Sequence, residues 1–186
     1  MFLILPLRLV LKGNTDGIVK SMSLLQWTLM LTVFGISHMA YLLSLPELDG
    51  FNSGGRGLLL FLVFLTEIND VMQFTWGKLL GKHKIIPKIS PNKTWEGFIG
   101  GLISTTIIGY SLGFLTPLTN IQVLFVSFMI AFSGFVGDIV ISSIKRDIGV
   151  KDMGNSIPGH GGVLDRIDSL AYTAPVFFHI VYYLAY

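Results

Sequence analysis

The sequence predicts an all-α protein: a polytopic transmembrane helical bundle of about five spanning helices, preceded by a short N-terminal apolar segment. Three observations carry that expectation. The mean hydropathy is +0.69, and 52% of the residues are hydrophobic while only 13% are charged, a balance foreign to soluble domains. The apolar residues fall in stretches close to the roughly 20 residues that a helix needs to cross a bilayer. Pro, Gly, Asn and charge concentrate in the connections between them.

Taken in order, residues 1–11 are apolar but too short to span, and they lack a basic leader and an A-x-A-like cleavage site. No cleaved leader is therefore expected. Spans are predicted at 24–45, 57–80, 94–115, 119–142 and 169–186. The run from Pro46 to Arg56 reads as a loop, and Thr116-Pro117-Leu118 as a tight uncharged connection. Gly97, Gly100, Gly101, Gly109 and Gly113 in one span, with Gly134 and Gly137 in the next, suit close helix packing. The chain has no Cys, which excludes disulfides, zinc–thiolate sites and cysteine nucleophiles. A net charge of +2 is too small to point to nucleic acid. No internal repeat or low-complexity linker is visible.

Basic residues gather in two places. Lys78, Lys82, Lys84, Lys88 and Lys93 surround His83, and Lys145, Arg146, Lys151 and Arg166 flank the last span. The positive-inside rule puts both regions in the cytoplasm, together with Lys12 and Lys20, and leaves the C-terminus outside. Both charged loops then meet one membrane face.

The richest segment is SSIKRDIGVKDMGNSIPGHGGVLDRID, residues 142–168, which sets charge and glycine between membrane-grade apolar runs. Charge is costly at a membrane boundary and asks for a function. Asp138, Ser142 and Lys145 share one helical face, and Asp165 and Asp168 sit three apart. Oxygen donors of this kind suit Mg²⁺, although Asp138 could simply pair with Lys145. Lys145, Arg146 and Lys151 suit phosphate, unless they only set topology. His160, in Pro-Gly-His-Gly-Gly, is either a turn residue or a donor to phosphate.

Two further groups stand out. Glu67, Asn69 and Asp70 cannot all face lipid, so Glu67 and Asp70 form either a buried pair or part of the same polar site. Ser90-Pro91-Asn92-Lys93-Thr94-Trp95-Glu96-Gly97 reads as a helix start, with Asn92 or Ser90 as cap, Glu96 at the positive end and Lys93 projecting into the cytoplasm. A helix N-terminus of this kind also suits phosphate.

Taken together, Ser142-x-Ile144-Lys145-Arg146, Lys151-Asp152-x-Gly154 and Ile157-Pro158-x-His160-Gly161-Gly162-Val163-x-Asp165-Arg166-Ile167-Asp168 resemble the signature of the phosphatidate cytidylyltransferase (CDP-diacylglycerol synthase) family. Residues 77–101, GKLLGKHKIIPKISPNKTWEGFIGG, resemble the same family. The resemblance covers 67–186, the family's catalytic C-terminal half, and leaves 1–66 as an N-terminal membrane segment without a recognisable motif. It implies transfer of the cytidylyl group of CTP to phosphatidate in a bacterial cytoplasmic membrane, on the cytoplasmic side. Mg²⁺ would be the cofactor, alone or with a monovalent cation, and a homodimer is compatible. Asp138, Asp165, Asp168 and Asp70 would hold metal, and Lys145 would act with them in catalysis. Ser90, Asn92, Lys93, Thr94, Ser142, Arg146, Lys151, Asp152, His160, Gly161, Gly162 and Arg166 would bind substrate. Two features depart from the family. Val71-Met72-Gln73-Phe74 replaces a small-residue pair after Asp70, and family members carry several more N-terminal spans.

Other functions compete. The motifs of CTP-dependent lipid-alcohol kinases and CDP-archaeol-type synthases are not seen, and the D-G-x2-A-R-x8-G-x3-D pattern of headgroup transferases is missing. An ion or proton transporter could use Glu67, Asp70 and Asp138, but it would place charge at the midplane rather than at one face. An inactive or regulatory homologue would bind CTP without turnover.

Overall fold

A computed structural model describes residues 11, 17–48, 50–150, 153–154, 162, 165 and 167–186. Five helices make up most of it: α1 (Ile18–Leu43), α2 (Gly54–Leu80), α3 (Trp95–Ser111), α4 (Asn120–Asp147) and α5 (Leu170–Ala185). The protein is thus a helical membrane protein. Helices α1, α2 and α4 are long and apolar enough to cross a bilayer. Helices α3 and α5, with 17 and 16 residues, reach only about 25 Å at 1.5 Å per residue. The first predicted segment, residues 1–11, lies outside the described residues except for Leu11.

Apolar side chains from four helices interlock. Leu58, Phe61, Leu62 and Leu65 of α2 meet Val123, Val126 and Ile130 of α4, Ala174, Phe177 and Val181 of α5, and Leu42 of α1. Phe61 and Phe177 stack with ring centres 5.7 Å apart. The first part of α1, Ile18–Leu29, buries no residue. It is joined by a π-helical turn, Met30–Gly35, to a second part that packs on α5. A Cβ at Gly35 would lie only 2.5 Å from the Ala171 carbonyl oxygen.

Helix α3 owes its place to glycine. Gly97, Gly101, Thr105 and Gly109 are its buried positions, every fourth residue. A Cβ at Gly97 would meet the Gln73 backbone oxygen at 2.7 Å, and one at Gly101 would lie 2.4 Å from Gln73 Cγ. Small residues let the two backbones approach, as expected of packed membrane helices. Gly100 instead receives the Trp76 ring, and Gly137 the Tyr172 side chain.

Two sequence expectations need correction. The bundle is not purely helical: β1 (Lys84–Ile86) and β2 (Ser90–Thr94) form an antiparallel hairpin between α2 and α3. Ser90 and Asn92 therefore lie in a strand, and the α3 cap is Thr94, whose Oγ1 accepts from the Gly97 N–H at 3.1 Å. The carboxylate of Glu96 does not serve its own helix end alone. It accepts from the Lys82 and His83 N–H groups and contacts His83 Nδ1 at 2.6 Å, stapling the hairpin's entry to α3. A two-stranded hairpin is marginal in isolation, so this contact and the helices beneath it are what hold it.

At its other end α4 runs five residues past the predicted limit of 142. A Schellman cap terminates it: Gly149 adopts φ 75°, Gly149 N–H bonds the Arg146 carbonyl and Val150 N–H the Lys145 carbonyl, at 3.1 and 2.9 Å. The hairpin, the end of α4, the start of α5, Met153, Gly162, Asp165 and Asp168 thereby collect at one end of the bundle. Leu48, Phe51, Asn52, Ser53, Phe114 and Pro117 are among the residues that line a cavity at the other.

Candidate active site

Helices α2 and α4, strand β2 and the residues just before α5 deliver polar side chains to the hairpin end. Asp138 and Ser142 occupy one face of α4, one turn apart, and Ser142 Oγ donates to Asp138 Oδ1 at 3.2 Å. Lys145, one turn further on, is buried. Its ammonium bridges Asp165 Oδ1 at 2.7 Å and Asp168 Oδ2 at 3.2 Å. The simple pairing of Asp138 with Lys145 considered from the sequence is not what forms. Lys93 supplies that partner, with Nζ 2.5 Å from Asp138 Oδ2. Lys93 does not project into solvent as its position beside a helix start suggested. Strand β2 turns it inward, where Nζ also donates to Gln73 Oε1 at 2.9 Å and sits 5.8 Å from the centre of the Phe135 ring.

Asp165 organises the loop before α5. Besides Lys145 it accepts the Met153 N–H at 2.8 Å and the Gly162 N–H at 2.9 Å. Burial alone would raise its pKa, but the Lys145 ammonium and the two backbone donors outweigh it and hold the carboxyl below its ordinary range. Asp168 goes the other way: burial dominates and raises it, with the Asp138 charge adding, despite the Lys145 contact. Asp168 Oδ1 also accepts the N–H of Ser169, whose hydroxyl donates to Asp70 Oδ2 at 2.9 Å.

Asp70 reaches this point from α2. It is one turn along from Glu67 and next to Asn69, a buried side chain tied to the Ala131 carbonyl and to Thr105. Asp70, Gln73, Phe74, Ser90, Asn92, Lys93, Asp138, Asp165 and Asp168 line a cavity of about 280 Å³. A neighbouring cavity of about 320 Å³ shares Asp70, Phe74, Asp165 and Asp168 and adds Glu67 and Val71. Glu67 and Asp70 thus belong to one polar site rather than to an isolated buried pair.

The structure brings together Asp70, Ser90, Asn92, Lys93, Asp138, Ser142, Lys145, Gly162, Asp165 and Asp168. It does not bring in Arg146. That exposed side chain donates to the Ile89 and Val150 carbonyls, at 3.2 Å each, and ties the hairpin turn to the end of α4. Thr94 is spent on its cap. Lys151, Asp152, His160, Gly161 and Arg166 lie outside the described residues. Gln73 and Ser169 were missed. Gln73 could have been found by extending the polar spacing Glu67, Asp70 by three more residues, because all three then line one face of α2.

Among the described residues, no three acidic or histidine side chains converge on a single point. The cavity nonetheless sets four carboxyl groups around the Lys93 ammonium, with the Lys145 ammonium against Asp165 and Asp168, and Asp70 Oδ1 is buried without a hydrogen-bond partner among the described residues. Oxygen donors of this kind are the ones a hard divalent cation takes.

The sequence model of the Cytidylyltransferase family matches residues 1–184. The chain belongs to this family. It is 50% identical over 186 residues to the uncharacterized protein YnbB of Escherichia coli (strain K12), which covers 100% of this chain and 62% of that protein. It is 39% identical over 146 residues to the phosphatidate cytidylyltransferase of Mycobacterium leprae (strain TN), over 78% of this chain and 47% of that one. Against the phosphatidate cytidylyltransferase of Staphylococcus haemolyticus (strain JCSC1435) it is 43% identical over 126 residues, 67% and 48% of the two chains. The chain therefore spans about half the length of these two cytidylyltransferases. Family membership and the one-ended cavity together argue against the transporter alternative, which needs charge along a path through the bilayer.

Proposed function

We propose that the protein transfers the cytidylyl group of CTP to phosphatidate, releasing pyrophosphate and forming CDP-diacylglycerol. The carrying observation is the cavity at the hairpin end, where Lys93 and Lys145 stand among Asp70, Asp138, Asp165 and Asp168. Membership of the family and the names of its relatives support the substrate assignment.

The reaction is a displacement at phosphorus. A phosphate oxygen of phosphatidate forms a bond to the α-phosphorus of CTP, the bond from that phosphorus to the β-phosphate bridge breaks, and the electron pair leaves with pyrophosphate. The nucleophile is already anionic, so no strong base is required. The difficulty is to bring two polyanions into line, which makes charge neutralisation and positioning the protein's task. Lys93 and Lys145 are held in place by carboxylates on either side of the cavity. Ser90 and Asn92 offer polar groups from β2 on the same wall.

The donor set fits Mg²⁺, which takes oxygen ligands and is usually held by one or two carboxylates together with substrate phosphates and water. We assign Asp70 and Asp138, with Asp168 and Asp165, to hold it. Asp70 has an oxygen without a partner among the described residues, while both Asp165 oxygens already serve Lys145, Met153 and Gly162. Bound Mg²⁺ would neutralise the triphosphate and the developing charge on pyrophosphate. A monovalent cation could accompany it. We further infer that all five helices cross the cytoplasmic membrane of a bacterium, with the hairpin end in the cytoplasm where CTP is found. The two short helices α3 and α5 would then need local thinning of the bilayer.

The test is pyrophosphate release by detergent-purified protein with CTP, phosphatidate and Mg²⁺, each omitted in turn. Release should need all three, and Asp138→Asn and Asp165→Asn should each lower it by about a hundredfold or more while still inserting into membranes. Full activity in either variant would sink the assignment of that carboxylate. CTP binding without release by the wild-type protein would favour a regulatory homologue.

A further inference from the structure

Gln73 adds chemistry to the cavity beyond that of the predicted residues. Its side chain is 4% exposed and lines the cavity beside Asp70, Lys93 and Asp138. The orientation of its amide is decided by its neighbour. Lys93 has only donors to offer, so the atom 2.9 Å from Lys93 Nζ is the carbonyl oxygen, Oε1. The amide nitrogen, Nε2, therefore points elsewhere, and it is buried without any hydrogen-bond partner among the described residues. A buried amide donor left unpaired is costly, and the site has no shortage of acceptors. The four carboxyls around it are engaged with Lys93, Lys145, Ser142, Ser169 and backbone donors, apart from Asp70 Oδ1.

The position is also rigid. Gln73 packs against the bare Cα of Gly101, where a Cβ would come within 2.4 Å of Gln73 Cγ, and its own backbone oxygen abuts Gly97. The close approach of α3 leaves no space for a side chain between Gln73 and either glycine. Gln73 thus has two hydrogen-bonding ends, one spent on holding Lys93 and one buried in the cavity wall without a partner among the described residues.

We propose that Gln73 is a substrate-binding residue whose Nε2 donates to a phosphate oxygen in the cavity, while Oε1 positions Lys93 on the same anion. This deepens the function proposed above and rests on it. The chemistry required is a phosphate oxygen, supplied either by the nucleotide or by the lipid headgroup. A neutral donor suits this place, because it adds a hydrogen bond without disturbing the charge balance that Lys93 and Asp138 set.

The experiment uses the full chain with Gln73→Glu and Gln73→Met. Gln73→Glu keeps the volume and the hold on Lys93 but replaces the N–H donor by an oxygen. Gln73→Met removes both ends at similar size. KM and kcat are measured for CTP and for phosphatidate separately, with CTP binding by calorimetry on the same preparations and thermal unfolding as a control. A hydrogen bond to a charged acceptor makes a rise in KM of about ten- to a hundredfold the expected result for Gln73→Glu, with unfolding unchanged. A rise confined to CTP places the acceptor on the nucleotide, and one confined to phosphatidate places it on the lipid. Both KM values within twofold of wild type in Gln73→Glu would overturn the proposal. If the wild-type protein binds CTP without turning it over, the cytidylyl-transfer reading fails, and the Gln73 proposal is then judged by calorimetry. Weaker CTP binding in Gln73→Glu sustains it, and unchanged binding overturns it. If the wild type shows neither turnover nor binding, both proposals fall.

Discussion

Lys93 is the residue whose role changes most between sequence and structure. By position it is one more lysine in a basic loop, and most such residues set topology. In the fold it is drawn inward to Asp138 and Gln73, with its side chain 19% exposed. Charge-assisted hydrogen bonds of this kind are the strong ones. Lys93→Met is therefore expected to lower kcat/KM for CTP by about ten- to a hundredfold, which steady-state pyrophosphate release would measure. Lys93→Arg should not restore it, since a planar fork does not occupy the place of a compact ammonium. A variant within twofold of wild type would return Lys93 to a topogenic role. Arg146 is the converse case. Its place in the charged run suggested phosphate binding, but its guanidinium is tied to the Ile89 and Val150 carbonyls. Arg146→Ala should loosen the hairpin and lower thermal stability more than it raises KM for CTP. A selective KM effect without destabilisation would reverse that assignment.

At the level of elements, the spacing of glycine in α3 was legible because its physical meaning is local. A residue every fourth position lies on one face, and a face without side chains invites a backbone. The structure adds what that backbone is. Gly97 and Gly101 press on Gln73 and so fix the wall of the cavity. Gly97→Ala would put a Cβ 2.7 Å from the Gln73 carbonyl oxygen, a backbone atom that cannot step aside. The expected cost is about 1–3 kcal/mol, read as a lower unfolding temperature in detergent, with a rise in KM for CTP as Gln73 shifts. An unchanged melting temperature would mean that the α2–α3 contact is looser than described. The hairpin was not legible. The segments Lys84–Ile86 and Ser90–Thr94 are three and five residues long, too short for a period-2 pattern to stand out. The Glu96 staple that supports them joins residues 13 and 14 positions apart.

The whole molecule gathers its chemistry at one end. Lys93 comes from the hairpin, Asp70 and Gln73 from α2, Asp138 and Lys145 from α4, and Asp165 and Asp168 from the loop before α5. The absence of cysteine from the sequence makes the proposed orientation directly testable. Single cysteines at Lys88 and Val150 should be labelled from the cytoplasmic side by a membrane-impermeant maleimide, and single cysteines at Asn52 and Phe114 from the opposite side. Labelling of all four from one side would contradict the spanning arrangement of α2, α3 and α4.

The sequence alone determined that the chain lives in a membrane, where four of its five helices begin to within three residues (α1 starts six earlier than expected), that Asp138, Ser142 and Lys145 share a face, and which family it resembles. All of these follow from composition, short-range periodicity or a contiguous motif. Only the tertiary structure decided that Lys93 rather than Lys145 pairs with Asp138, that Arg146 leaves the cavity, and that Gln73 enters it with a donor unspent. Those outcomes depend on contacts between residues 20 to 57 positions apart. No local pattern encodes such contacts, because which charge meets which is settled by how the helices pack.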